Sequence, residues 1–134
     1  MVAITPNALA TIHAHARSAY PEECCGILLG HLGRQILDAL PGQNLAPSNR
    51  ATRYTLDPRA ILHAEKDARE RGLEVIGFYH SHPDHNALPS GTDASLAWDT
   101  YLYLILPVTA AEVGPANLWR FAEGRAEQIP LKTE

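Results

Sequence analysis

The stretch GFYHSHPDHNALPSGTD, residues 77–93, constrains this chain most, because it runs an apolar strand directly into a cluster of metal-capable side chains. The preceding letters, LEVIGFYH at 73–80, read as a largely buried strand. Side chains two apart on a strand share a face, so His80 and His82 can aim their imidazoles at one point. A lone H-x-H pair is weak evidence by itself, but a strand exit is where sites tend to be built. Two ligand sets can be written over the same letters. His80, His82, Asp84 and His85 spell H-x-H-x-D-H, whereas His80, His82 and Asp93 spell H-x-H with a carboxylate further on.

The first set resembles part of the dinuclear site of the metallo-β-lactamase superfamily. That site needs more histidines downstream and a longer chain, and no histidine follows His85. The second set offers two imidazoles and one carboxylate with room for water in a fourth position, the donor set of a catalytic zinc site rather than a structural one. Pro83 and Pro89 stiffen the loop between the ligands, and Asp84 and His85 become solvent-facing loop residues or, at most, substrate contacts. His13, His15, His31 and His63 are scattered and read as surface or packing residues.

With 134 residues the chain is read as one domain, residues 1–134, able to bury a continuous core. A net charge of −4 without a basic cluster argues against nucleic acid as a partner. The longest apolar run, YLYLILPV at 101–108, is far short of the roughly 20 residues of a membrane helix, and the N-terminus lacks the pattern of a secretory signal. Cys24 and Cys25 are adjacent, a poor arrangement for a disulfide, and so point to a reducing compartment, the cytoplasm. They open an apolar strand and read as buried packing residues rather than nucleophiles.

Capping signals divide the chain. Thr5-Pro6 opens a helix that Tyr20-Pro21 closes, and Asp57-Pro58 opens another that stops at Gly72. CGILLG at 25–30, RQILDAL at 34–40, ATRYTL at 51–56 and YLYLILPV read as strands. Asp93 to Trp98 reads as a short helix, and NLWRFAEGRAEQIPL as a hairpin turning near Glu123-Gly124. Strands and helices mix without strict alternation, which predicts an α+β fold. Trp98, Tyr101 and Trp119 are expected as core or edge aromatics.

H-S-H-P, six residues, then S-G-T-D resembles the signature of the JAMM metallopeptidases, also called MPN-plus or Mov34 domains: His80, Ser81, His82, Pro83, Ser90 and Asp93 fill every defined position. The likeness runs from the first helix through YPEECCGILLG to the helix after Asp93. It implies a single domain with a mixed, curved sheet flanked by helices, layered like cytidine deaminases. It also implies one catalytic zinc on His80, His82 and Asp93. Matching P-x-E-x-x-G to Pro21, Glu23 and Gly26 makes Glu23 the acid/base, with Glu22 the neighbouring alternative. Ser90 becomes the donor to a tetrahedral oxyanion, a role compatible with capping the next helix, while Ser81 points to the opposite face in a supporting role.

The implied activity is hydrolysis of an amide or isopeptide bond after the C-terminal Gly-Gly of a ubiquitin-like or sulfur-carrier protein, whose tail lies along a sheet edge. The compact length resembles the prokaryotic members. A non-catalytic MPN scaffold binding protein partners, or a hydrolase of small amides using the same site, remain the alternatives.

Overall fold

The computed structural model describes residues 1–134. In chain order the elements are β1 (Val2–Ile4), α1 (Pro6–Ala19), β2 (Cys25–His31), β3 (Gln35–Gly42), α2 (Pro58–Glu70) and β4 (Glu74–Pro83). They continue with α3 (Gly91–Leu96), β5 (Leu102–Val108), β6 (Asn117–Ala122), β7 (Arg125–Ile129) and β8 (Leu131–Thr133). The eight strands make one mixed sheet in the order β7-β6-β5-β4-β2-β3-β1-β8. Its two faces carry separate cores. Ala8, Ile12 and Ala16 of α1 pack with Leu28, Tyr79 and Leu104 on one face, and Ala64 and Ala68 of α2 pack with Ile27, Phe78 and Trp119 on the other. The α+β expectation of a mixed sheet flanked by helices therefore holds. No helix is long and apolar enough to cross a membrane.

Local chemistry explains the helix ends. Thr5 Oγ1 accepts from the Ala8 amide, Asp57 accepts from Arg59, and each cap is followed by a proline whose missing N–H removes one unpaired donor. Gly72 follows α2 with φ +69°, a left-handed turn natural to glycine. The alanines on the inner stripes let both helices approach the sheet closely.

The expected strand at 51–56 is absent. Only Leu56 makes a bridge, to Asn44, and residues 43–57 form a loop. The Asn44 side chain replaces a ladder: its amide donates to the Arg53 carbonyl and its oxygen accepts from the Thr55 and Ala46 amides. The last short helix spans 91–96 rather than 93–98, because Ser90 and not a later residue caps it. Strands β1 and β8, three residues each, carry too few letters to show a period; they pair in parallel with each other, and β1 also with β3. Trp119 is core, whereas Trp98 is a half-exposed edge residue stacked edge-on to Phe78.

A β-bulge in β4 sets the phase of the functional strand. Leu28 pairs with Gly77 but Leu29 with Val75, leaving Ile76 as the extra residue. Ile76 consequently enters the α1-side core while Phe78, two positions on, enters the α2-side core. His80 and His82 follow Phe78 onto that second face. Glycine is required at the bulge: a Cβ on Gly77 would lie 2.1 Å from the Leu102 carbonyl oxygen of β5. We expect Gly77→Ala to destabilise the protein by about 1–3 kcal/mol or more in urea unfolding. Gly91→Ala, with nothing within 4 Å of the added carbon, should stay within about 0.5 kcal/mol. Equal losses in the two variants would refute the bulge argument.

Candidate metal centre

The antiparallel register of β2 and β4 pairs Cys25 with His80. Carried two residues further, it sets Glu23 across from His82 on the same face. The main chain supports that extension: the Ser81 amide donates to the Cys24 carbonyl at 3.2 Å, and the Cys24 amide donates to Ser81 Oγ at 2.8 Å. Ser81 therefore ties down the peptide that carries Glu23, rather than a ligand ring. On its other side, the Glu23 amide donates to the Arg50 carbonyl at 2.7 Å and its carbonyl accepts from the Asn44 side chain at 3.1 Å. Loop 43–57 and β4 thus hold the glutamate backbone from both sides. Glu22 is exposed, whereas Glu23 is 3% exposed.

His80, His82 and Asp93 converge. One ligand atom from each lies within 4.8 Å of the others, so the three could hold a metal ion. His80 Nε2 is 3.2 Å from His82 Nε2 and from Asp93 Oδ1, and His82 Nε2 is 3.0 Å from Asp93 Oδ2. Asp93 is aimed by a capping box: Ser90 Oγ accepts from the Asp93 amide at 3.0 Å, and Asp93 Oδ2 accepts from the Ser90 amide at 2.9 Å. That cap uses a lone pair of the Ser90 oxygen and leaves its O–H free to donate elsewhere. The capping role weighed for Ser90 is therefore present and consistent with a second role.

The donors pass a chemical test for a cation. His82 Nδ1 lies 2.7 Å from the Asn86 carbonyl, which can only accept, so Nδ1 carries the proton. Neutral His82 then presents the Nε2 lone pair to Asp93 Oδ2, another acceptor, at 3.0 Å. Two acceptors this close need positive charge, either a second proton on His82 or a metal ion. The charge balance agrees. At Asp93 burial pushes upward, but the two imidazoles outweigh it and hold the carboxyl well below the usual range. At His82 burial pushes downward, and Asp93 and the Asn86 carbonyl outweigh it to raise the ring. Burial alone dominates at His80 and lowers it.

Burial pushes the Glu23 carboxyl up to about 8, opposed by His82 and reinforced by Asp93, and one of its oxygens has no hydrogen-bond partner. Burial likewise pushes the thiols of Cys24 and Cys25 up to about 11 and about 12, the opposite of what a nucleophile needs. Both are buried and unpaired, as expected.

Asp84 and His85 stay outside the cluster. The Asp84 carboxylate accepts from the Tyr20 hydroxyl, and His85 stacks on His82 with ring centroids 4.7 Å apart. His15 is a packing histidine, its Nδ1 at 2.6 Å from the Tyr79 hydroxyl. Sequence reasoning missed Tyr54, which stacks on His80 at 4.6 Å. His80 Nδ1 is buried without a hydrogen-bond partner, so this stacking takes the place of the carbonyl that orients His82. Asn44 was missed as well. Neither shows any sequence signal, since both belong to the irregular loop 43–57.

Known proteins resemble the chain in both sequence and fold. Residues 5–122 match the family described as prokaryotic homologs of the JAB domain. A desampylase of Haloferax volcanii is 36% identical over 110 residues, 78% of each chain. A CysO-cysteine peptidase of Mycobacterium tuberculosis is 31% identical over 99 residues, covering 72% of this chain and 65% of the relative. The solution structure of a Desulfitobacterium hafniense protein superposes with a TM-score of 0.86 at 31% identity, covering all of this chain and 93% of the other. A JAB1/MPN domain protein from Archaeoglobus fulgidus shares the fold, with a TM-score of 0.64 at 20% identity over 97% and 96% of the two chains. The family match spans all three helices, Glu23, and His80, His82 and Asp93, and the chain belongs to the prokaryotic JAB-domain family, related to peptidases.

Proposed function

We propose that residues 1–134 form a single zinc metallopeptidase domain. Its substrate is an amide or isopeptide bond that follows the C-terminal Gly-Gly tail of a ubiquitin-like or sulfur-carrier protein. The observation that carries the reading is the meeting of two imidazoles and one carboxylate beside a buried glutamate with an unpartnered oxygen. His80, His82 and Asp93 would hold the zinc, a donor set that leaves a position for water. When bound, zinc supplies Lewis acidity, polarising a carbonyl and lowering the pKa of water from 15.7 to about 7.

The chain supplies the rest. Glu23 takes the proton of the attacking water and delivers it to the leaving amine, a task suited to a carboxylate whose proton affinity is raised by burial. Ser90 keeps its O–H free while its oxygen caps α3, and it donates to the oxyanion of the tetrahedral intermediate. Tyr54 and Asn86 keep the imidazole planes from rotating. Relatives named as a desampylase and a CysO-cysteine peptidase support a small carrier protein as substrate. Two unpaired buried cysteines fit a reducing compartment, and we place the protein in the cytoplasm.

The test is to measure zinc in the purified protein and to assay a sulfur-carrier protein bearing a C-terminal extension. Wild type should bind zinc stoichiometrically and release the extension, and Asp93→Ala should lose both properties. We expect Glu23→Gln to reduce kcat by about 10²–10⁴ with zinc retained, and Ser90→Ala by about 10²–10³. Glu22→Ala should behave as wild type. Absence of zinc from wild type would sink the metal reading, and full activity in Glu23→Gln would remove the glutamate from its role. A zinc-loaded protein inert toward every carrier fusion would refute the substrate class and point to small amides.

A further inference from the structure

We infer that Trp119, together with Asn117, positions the ligand His82 by clamping the loop that dictates which of its ring nitrogens faces the metal. The two residues lie on β6, two strands away from the histidines in the sheet order, and neither hydrogen-bonds to them. Their target is the carbonyl of Ala87. Trp119 Nε1–H donates to it at 3.1 Å and the Asn117 side-chain amide at 3.4 Å. Asn117 is steadied in turn by accepting from the Gln128 amide at 3.3 Å.

The adjoining residue makes the clamp consequential. Asn86, immediately before Ala87, supplies the carbonyl that accepts from His82 Nδ1 at 2.7 Å. Two successive carbonyls of an irregular segment thus have opposite duties: one is gripped by the sheet, the next grips the ligand. Residues 84–90 belong to no helix or strand, so no ladder holds them. The segment is anchored at its start by the Asp84 amide on the Val108 carbonyl and at its end by the cap at Ser90. Between those anchors, the Ala87 carbonyl is the point held by side chains, and Ala87 itself is turned into the α2-side core.

Release of that carbonyl frees the Asn86 peptide to rotate. His82 then loses the acceptor that keeps the proton on Nδ1, and the tautomer protonated on Nε2 cannot bind a cation through that atom. A buried indole N–H ordinarily finds an acceptor, so a bond alone would mean little. What distinguishes this one is its position, a single residue from the carbonyl that orients a ligand.

The inference rests on the metal reading of His80, His82 and Asp93, and its test separates the two. Trp119→Phe removes the donor and keeps an aromatic ring. Phe121→Leu perturbs the same strand and the same core without removing a hydrogen bond to the loop. Each protein is examined for thermal midpoint and for zinc affinity in competition with a chromophoric chelator. After chelation, the His82 tautomer is read from long-range 1H–15N NMR. We expect Trp119→Phe to populate the Nε2–H form and to weaken zinc by about tenfold or more. Phe121→Leu, at a comparable loss of thermal midpoint, should keep the Nδ1–H form and wild-type affinity.

Wild-type affinity with an unchanged tautomer in Trp119→Phe overturns the clamp. Equal weakening in Phe121→Leu does so too, since general loosening would then explain both. If Trp119→Phe does not fold, Asn117→Ala at a half-buried position decides, and a wild-type tautomer and affinity there overturn the inference. Failure of wild type to bind zinc refutes the metal reading instead, while the tautomer still reports on the clamp.

Discussion

The antiparallel pairing of β2 with β4 is the constraint on which everything else depends. It places Cys25 opposite His80, and by continuation Glu23 opposite His82, so the glutamate and the ligands come from distant parts of the chain yet share one face. A shift of one residue in this register would turn Glu23 to the α1 side and bring Glu22 or Cys24 into its place. Both sides of the register are protected. The bulge at Ile76, made possible by Gly77 against the Leu102 carbonyl, sets the phase of β4. The Ser81 hydroxyl locks the Cys24 amide at the open end, where the ladder runs out.

Such a register buries two imidazoles and two carboxyls in a small volume, a poor arrangement for stability by itself. Asp93 gains most from its neighbours, through the two imidazoles and the Ser90 amide. Glu23 gains least: its backbone is fully used, but one side-chain oxygen has no partner. The asymmetry matches the proposed division of labour. A ligand carboxylate needs its negative charge held in place, whereas an acid/base carboxyl needs a proton affinity near neutrality, and desolvation provides this. Burial at Glu23, only partly opposed by His82, is what the proposed acid/base role calls for. The same burial at Cys24 and Cys25 has the reverse meaning, because it suppresses the thiolate.

The sequence disclosed the parts governed by short-range chemistry. Cap-plus-proline pairs marked α1 and α2, the i, i+2 rule put His80 and His82 on one face, and the S-G-T-D turn foretold a carboxylate at a helix start. What stayed hidden depended on partners far along the chain. ATRYTL has the composition of a strand, yet it stays a loop in which the Asn44 side chain takes up the Arg53 carbonyl and the Thr55 amide. In the sequence Tyr54 is only an aromatic, and its stacking on His80 depends on the path that loop 43–57 takes between β3 and α2. Strands β1 and β8 are defined by each other and carry no pattern of their own.

The two histidines are oriented by unlike devices, and the difference follows from where each sits on β4. His80 is inside the paired part of the strand, opposite Cys25 and beside Ile105, so its backbone is rigid and only the ring needs a stop. A flat contact with Tyr54 provides that stop without a polar partner. His82 lies two residues beyond the end of the β2 ladder and is held in the sheet by β5, in register with Pro107. Its ring is oriented by a directional hydrogen bond, Nδ1–H donating to the Asn86 carbonyl of the following loop. Under the proposed clamp, the orientation of His82 rests on Asn86 and Ala87, and through the side chains of β6 on the core behind them.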